Sequence, residues 1–224
     1  MCWSAKADLV AGAGITAVGV ACVLRSRASR DLPMAALPVL LGAHQIVESV
    51  VWHAGGGTGP ATVAWAVIAL PLLVVWVPAG VMCAVTGRAR GRVAVPLVAG
   101  AGTAVALGHA LAVRPVTAEI RGHTLAYVVD LPHARLLVAG YLVATVGALL
   151  LSGDRGLTLL GVLVAVGALV CWALWRLEFV STWCAFAAVC SVVLHVWVRG
   201  RADSGTPDRP GPAAEHVRGR GAGR

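Results

Sequence analysis

Charge is scarce in this 224-residue chain: Asp, Glu, Lys and Arg make up 12% of it, about half the roughly 25% of an ordinary soluble domain. With 58% hydrophobic residues and a mean hydropathy of +0.83, the chain reads as an all-α integral membrane protein. Lysine is nearly missing, since Lys6 is the only one. The net charge of +8 therefore rests on arginines, which sit in short clusters beside apolar runs. That is the positive-inside pattern of a membrane protein, so nucleic acid is not among the expected partners. No ATP-binding loop, Rossmann fingerprint, nucleophile elbow or haem-attachment motif is present, which removes many enzyme classes. The six cysteines have irregular spacings that match no zinc template. The residues name no cofactor, metal or oligomeric state.

What is present is a series of seven apolar runs, each near the ~20 residues a spanning helix needs. They cover about 7–24, 33–53, 61–85, 93–113, 134–151, 157–175 and 178–198. Arginine clusters follow the first run (Arg25, Arg27, Arg30), the third (Arg88, Arg90, Arg92) and the seventh (Arg199, Arg201). Seven crossings put all three clusters on one side, so parity and charge agree on a bundle with its N-terminus out and its C-terminus in. The expected location is the cytoplasmic (inner) membrane, with the lipid bilayer as partner. Residues 1–201 form the transmembrane domain. Residues 202–224, rich in Pro, Gly and Arg, read as a disordered cytoplasmic tail whose arginines reach anionic headgroups.

The first run resembles a signal peptide in length, but its arginines follow the apolar stretch, so a retained helix is expected. Ala13, Ala17 and Ala21 form a small-residue stripe suited to close helix packing, and Cys22 reads as a buried small residue. Pro71 and Pro78, on one face of the third run, should bend it. The longest connection, about 114–133, mixes β-branched residues with a turn at Arg121-Gly122-His123, the pattern of a short extracytoplasmic β-hairpin. His123, Asp130 and His133 read as solvated loop groups.

The most unusual stretch is Gly42-Ala43-His44-Gln45-Ile46-Val47-Glu48-Ser49-Val50-Val51-Trp52-His53. His44, Glu48 and Trp52 follow at i, i+4 and i+8, on one helical face. An ionisable group inside a membrane costs on the order of 2.5–3.5 kcal/mol on insertion scales and is a functional-site hypothesis by default. The competing reading is that these groups only tie helices together. At 1.5 Å per residue, Glu48, His109 and Cys171 all lie about 21–24 Å above the inner ends of their helices. Cys184 falls about 9 Å below the outer surface. These four thus share one outer layer, with Ser181 and Trp52 just above it. Six of the eight tryptophans also map to the outer half, partly as an aromatic belt. A glutamate, a histidine and two thiols at one depth suit either a metal or an acid/base pair with a nucleophile. Glu48 is expected to face the interior beside His44, Gln45 or His109, in a cavity that opens outward. Gln45, Glu48, Trp52, Ser181 and Trp183 are the candidate lining. Cys2 and Cys184 share the oxidising side and are candidates for a disulfide; the alternative leaves Cys2 a free thiol on the N-terminal segment.

Three motifs together resemble an uncharacterised bacterial family of multi-pass membrane proteins, a domain of unknown function. They are Met1-Cys2-Trp3-Ser4-Ala5, His44-Gln45-Ile46-Val47-Glu48 with Trp52, and Phe179-Val180-Ser181-Thr182-Trp183-Cys184-Ala185. The resemblance runs from Met1 to about Arg199 and implies a seven-helix membrane protein without implying a reaction. Seven-helix hydrolases of the ceramidase type offer a more distant comparison, but their paired His-x-x-x-His is missing here, where His195 stands alone. Three functions follow. The leading one is an outward-facing pocket that binds or senses a small or lipidic ligand. The second is a membrane-embedded, metal-dependent hydrolase with Glu48 as base, assisted by His44 or His109. The third is a structural membrane protein without a ligand.

Overall fold

A computed structural model describes residues 4–122, 124–174 and 179–204, with side chains throughout except at 171–185 and 204. The chain is mostly helical. In order it forms α1 (Ala5–Arg25), α2 (Leu32–Ala35), α3 (Leu37–His53), α4 (Pro60–Val67), α5 (Leu73–Ala84), α6 (Arg88–Val113), β1 (Val116–Arg121), β2 (Thr124–Val129), α7 (Ala134–Leu142), α8 (Ala148–Leu151), α9 (Arg155–Leu174) and α10 (Phe179–Ser204). Several join into longer rods. Among the described residues five rods are long and apolar enough to cross a membrane: Ala5–Arg25, Ser29–His53, Pro60–Ala84, Arg88–Val113 and Ala134–Leu151. A shorter apolar helical stretch covers Arg155–Val170. The exterior is apolar, with Val10, Leu24, Val98, Val105 and Leu136 each more than 70% exposed. A soluble monomer rarely shows such a surface.

Two boundaries move relative to the apolar runs. Helix α6 begins at Arg88 and not near 93, because a basic first turn is as helical as an apolar one once it projects beyond the hydrocarbon. Helix α10 continues to Ser204, which takes 202–204 out of the segment read as a tail; 205–224 lie outside the described residues.

Ser4 starts α1 by accepting the Ala7 N–H on its hydroxyl at 3.2 Å, an ordinary N-cap. The face α1 buries is Asp8, Gly12, Ile15, Gly19 and Cys22, a 4-3-4-3 spacing that holds one side of a helix. Ala13 and Ala17, by contrast, are exposed and Ala21 is only half-buried. The small-residue stripe thus exists, but glycine carries it. A Cβ at Gly12 would lie 2.9 Å from the Gly42 carbonyl oxygen, and one at Gly42 would strike the Thr16 hydroxyl. With no side chain at that crossing, α1 and α3 approach backbone to backbone.

Pro71 sits inside a π-helical turn, Ile68–Leu72, which joins α4 to α5. Proline lacks the N–H that a regular helix needs there, and the widened turn takes up the defect. The Tyr141 hydroxyl donates to the Ala69 carbonyl in that turn at 2.8 Å. A second π turn, Val143–Gly147, joins α7 to α8.

Opposite ends of the bundle are built differently. At one end lie the arginine clusters and the largest apolar core, which includes Met34, Val81, Leu157, Leu160 and Leu194. There Arg201 gathers four segments. Its guanidinium donates to the Ala84 carbonyl at 3.0 Å, and pairs with Asp31 at 3.4 Å and Asp154 at 3.6 Å. It also lies 4.9 Å over the Trp197 ring. Asp154 in turn caps α9, accepting the Gly156 and Leu157 N–H groups at 2.9 and 3.1 Å. It accepts the Trp197 indole N–H as well, at 2.9 Å.

At the other end β1 and β2 pair antiparallel, with Val116 opposite Val129 and Arg121 opposite Thr124. This is the hairpin expected for 116–129. Gly122 at the turn has φ +61°, a value glycine adopts without strain. Arg114 closes the base by bonding both the carboxylate of Asp130, at 2.6 Å, and its backbone carbonyl, at 2.7 Å. Asp130 is thus a solvated loop group, as expected, that is also tied to Arg114. Gly57, at φ +85°, exchanges two backbone hydrogen bonds with Ala118, at 2.8 and 3.0 Å. The hairpin is thereby fastened to the loop that follows α3.

Candidate functional site

Helix α3 turns its polar residues inward. Glu48 is completely buried, and Gln45, Ser49 and His44 are 2%, 4% and 8% exposed. Ser49 is satisfied by its own helix, its hydroxyl donating to the Ile46 carbonyl at 2.8 Å. Gln45 faces α1 and His44 faces α4. The close approach at Gly12 and Gly42 brings Gln45 against Gly12, and one turn earlier on α1 stands Asp8, also completely buried. Asp8 faces the indole of Trp52. The Trp52 indole is the one donor that approaches the Asp8 carboxylate, and no cation pairs with it among the described residues. His44 Nε2, Gln45 Oε1 and Trp65 Nε1 make no hydrogen bond among the described residues. A native interior leaves few such groups, and each calls for an explanation.

An aromatic ladder leads from this cluster to the hairpin. The rings of His44 and Trp65 are 5.0 Å apart and tilted by 39°. Trp65 stacks on Tyr127 of β2 at 3.4 Å and 3°. Tyr127 points down because Val116, Ala118, Leu125, Tyr127 and Val129 share the face of the ribbon that packs on the bundle. The hairpin therefore covers the cluster through a ring contact. Trp65 is 5% exposed, so it belongs to this ladder and not to a surface belt.

His109 departs from the expectation of a place beside Glu48 in the interior. It is exposed on α6, whose buried face runs through Val93, Pro96, Gly100, Thr103, Leu107 and Ala110. Counting residues along a helix fixes depth but not azimuth, and His109 falls on the outward side. It does not join Glu48. A cavity of about 370 Å³ at the base of the hairpin is lined by Thr58, Val63 and the stretch 111–116. Gln45, Glu48 and Trp52 do not line it; Trp65 packs on Val116 between the two regions. Among the described residues no three His, Cys, Asp or Glu side chains stand close enough to hold a metal ion. Cys2 and the side chains of Cys171, Ser181, Trp183 and Cys184 lie outside the described residues. So does the expected Cys2–Cys184 bond.

Sequence reasoning passed over Asp8, Trp65 and Tyr127. Asp8 carried a signal: it is the lone acid of the first apolar run and shares a stripe with Gly12, Gly19 and Cys22. Tyr127 shared strand parity with Leu125 and Val129. Nothing local marked Trp65, whose role depends on two elements far from it in the chain.

Neither a curated protein nor a solved structure matches the chain. One family model does, over residues 1–209, and it is described as a family of unknown function (DUF6629). That range takes in the three motifs at Met1–Ala5, His44–Trp52 and Phe179–Ala185, and it reaches past the last basic helix end. An apolar helical bundle with a capped polar seam between α1 and α3 is thus the architecture of a chain that belongs to the family of unknown function DUF6629.

Proposed function

We propose that this chain is a seven-crossing protein of the cytoplasmic membrane, with the hairpin end outside and the arginine end inside. We further propose that it binds or senses a small or lipidic ligand at the α1–α3 polar seam. The orientation is supported by the arginines at the Arg201 end, since basic loops are retained on the cytoplasmic side. The ligand reading is carried by one observation. Asp8 is a completely buried carboxyl that has the Trp52 indole beside it and no paired cation among the described residues. A group so costly to desolvate persists where something outside the fold offsets the cost.

The hydrolase reading paired Glu48 with His44 or His109, and with His109 on the outer surface no observation favours it. The glue reading is an outcome of the test below. Small molecules and lipids that co-purify with the protein are compared by mass spectrometry among the wild type, Asp8→Asn and Glu48→Gln. Both substitutions keep shape and remove charge. Loss of one species from variants that still fold supports the ligand reading, and identical profiles overturn it in favour of glue.

Orientation has its own test, in a background freed of native thiols. A cysteine placed in the 54–60 loop should react with an impermeant reagent from outside, and one at Arg90 should not. The reverse pattern overturns the orientation.

A further inference from the structure

The basic ends of α1 and α10 stand side by side. One turn further into the bundle, Cys22 Sγ and His195 Nδ1 are 3.5 Å apart, which sets the two helices in register. Beyond that contact they enclose a cavity of about 250 Å³, lined by Leu24, Arg25, Arg27, Arg199, Ala202 and Asp203. Three guanidiniums against one carboxylate leave its wall with a net charge of +2. Arg201, two residues from Arg199, is consumed by Asp31, Asp154 and Ala84. Arg25 and Arg199, both exposed, form no ion pair among the described residues. Their charge is directed into the cavity instead of into the fold.

The surroundings of the cavity identify its occupant. On α1, Val20 and Leu24 are 46% and 80% exposed; on α10, Val192 and Val196 are 56% and 64% exposed. Each pair is spaced i, i+4 and forms an apolar row along its helix. Both rows run toward the cavity, and Leu24 is part of its wall. A ligand that fits has an anionic group of strong hydrogen-bond accepting power joined to hydrocarbon. We propose that this cavity binds the phosphate of an anionic phospholipid headgroup, with Arg25 and Arg199 as its donors and the two valine–leucine rows as the bed for an acyl chain. A guanidinium offers a planar fork of donors that matches phosphate oxygens. Basic pockets between helix ends at the headgroup level are where such lipids are held. Asp203 opposes the anion and keeps the site from being a general trap for negative charge.

The test uses the purified full chain in mild detergent, with lipid retention read by native mass spectrometry. It is titrated with phosphatidylglycerol, with phosphatidylcholine of the same acyl chains, and with inorganic phosphate alone. Phosphatidylglycerol should be retained in preference to phosphatidylcholine. In the double variant Arg25→Gln with Arg199→Gln that preference should fall roughly thirtyfold, the scale expected when two arginines leave an anionic lipid. Asp203→Asn should raise it, and this variant decides the matter if the double variant fails to fold. Equal retention of the two lipids overturns the proposal, as does a preference unchanged in both variants. Displacement of phosphatidylglycerol by inorganic phosphate would assign the cavity to a soluble anion and overturn the lipid source. The result is independent of the labelling test for orientation, because a reversed protein would present the same cavity to the opposite leaflet.

Discussion

The two ends of the bundle treat buried polarity in opposite ways. At the arginine end, Asp31 and Asp154 each give a carboxylate oxygen to Arg201, and Asp154 is further answered by two backbone N–H groups and an indole, which leaves only Asp31 Oδ1 unbonded among the carboxylate oxygens of these two residues. At the hairpin end, Asp8, His44, Gln45, Trp52 and Trp65 are brought together; Asp8 has the Trp52 indole beside it and no paired cation, and His44, Gln45 and Trp65 each have a polar atom that bonds to nothing, among the described residues. The first arrangement is what a fold does when charges are used to fasten it: several segments are tied at one point, and removing a partner strands the others. The second gives the fold little in return for the desolvation of its groups. Polar groups that do not hold the protein together are the ones free to hold something else.

The contrast predicts graded costs of substitution, highest at the fastened end. Arg201→Ala strands Asp31 and Asp154 and should lower stability by about 2–3 kcal/mol, between the scales of an exposed and a buried pair, because Arg201 and Asp154 are partly exposed. Arg201→Lys should recover only part of the loss, because an ammonium lacks the fork that serves three acceptors. Thermal unfolding in detergent measures both, and an Arg201→Ala protein as stable as wild type would erase the contrast. The seam that carries the open polar groups depends on glycine. Gly42→Val, which pushes a branched side chain into Thr16 and the Gly12 carbonyl, should therefore cost about 1–3 kcal/mol by overpacking. Intramembrane cross-linking between α1 and α3 would show the helices parting. Unchanged cross-linking and stability would mean that the close approach is not needed.

A smaller effect is expected where the hairpin meets the bundle. Tyr127→Ala removes the stack on Trp65, worth about 0.5–1.5 kcal/mol beyond buried area. The loss should appear as faster amide exchange in β1 and β2, while α1 and α10 stay protected. Exchange that rises uniformly would show the hairpin to be part of one cooperative unit. The smallest change is the most telling. Asp8→Asn should shift stability by no more than the ~0.6 kcal/mol average of an interhelical hydrogen bond, or raise it, because a neutral amide is cheaper to bury than a carboxylate. If Asp8→Asn costs as much as Arg201→Ala, the hairpin end is fastened after all and the ligand reading fails.

The sequence alone determined the helical, membrane-type character of the chain, the positions of its apolar rods and the hairpin at 116–129. Those features follow from local quantities: run length, charge between runs, and β-branched residues around a Gly122 turn. It also marked Gln45 and Glu48, because a polar residue in an apolar run is visible without knowing its neighbours. Tertiary structure decided which of the marked residues meet. Whether glycine or alanine carries the α1 stripe, whether His109 faces inward, and whether Asp8 is a terminus residue or a buried acid are questions of azimuth. Depth is additive along a helix and can be counted from either end. Azimuth depends on which neighbour packs against which face, and here the backbone contact of Gly12 with Gly42 set it. The latch at Arg201 has the same origin: four segments far apart in the chain share one guanidinium, and only their packing brings them within reach of it.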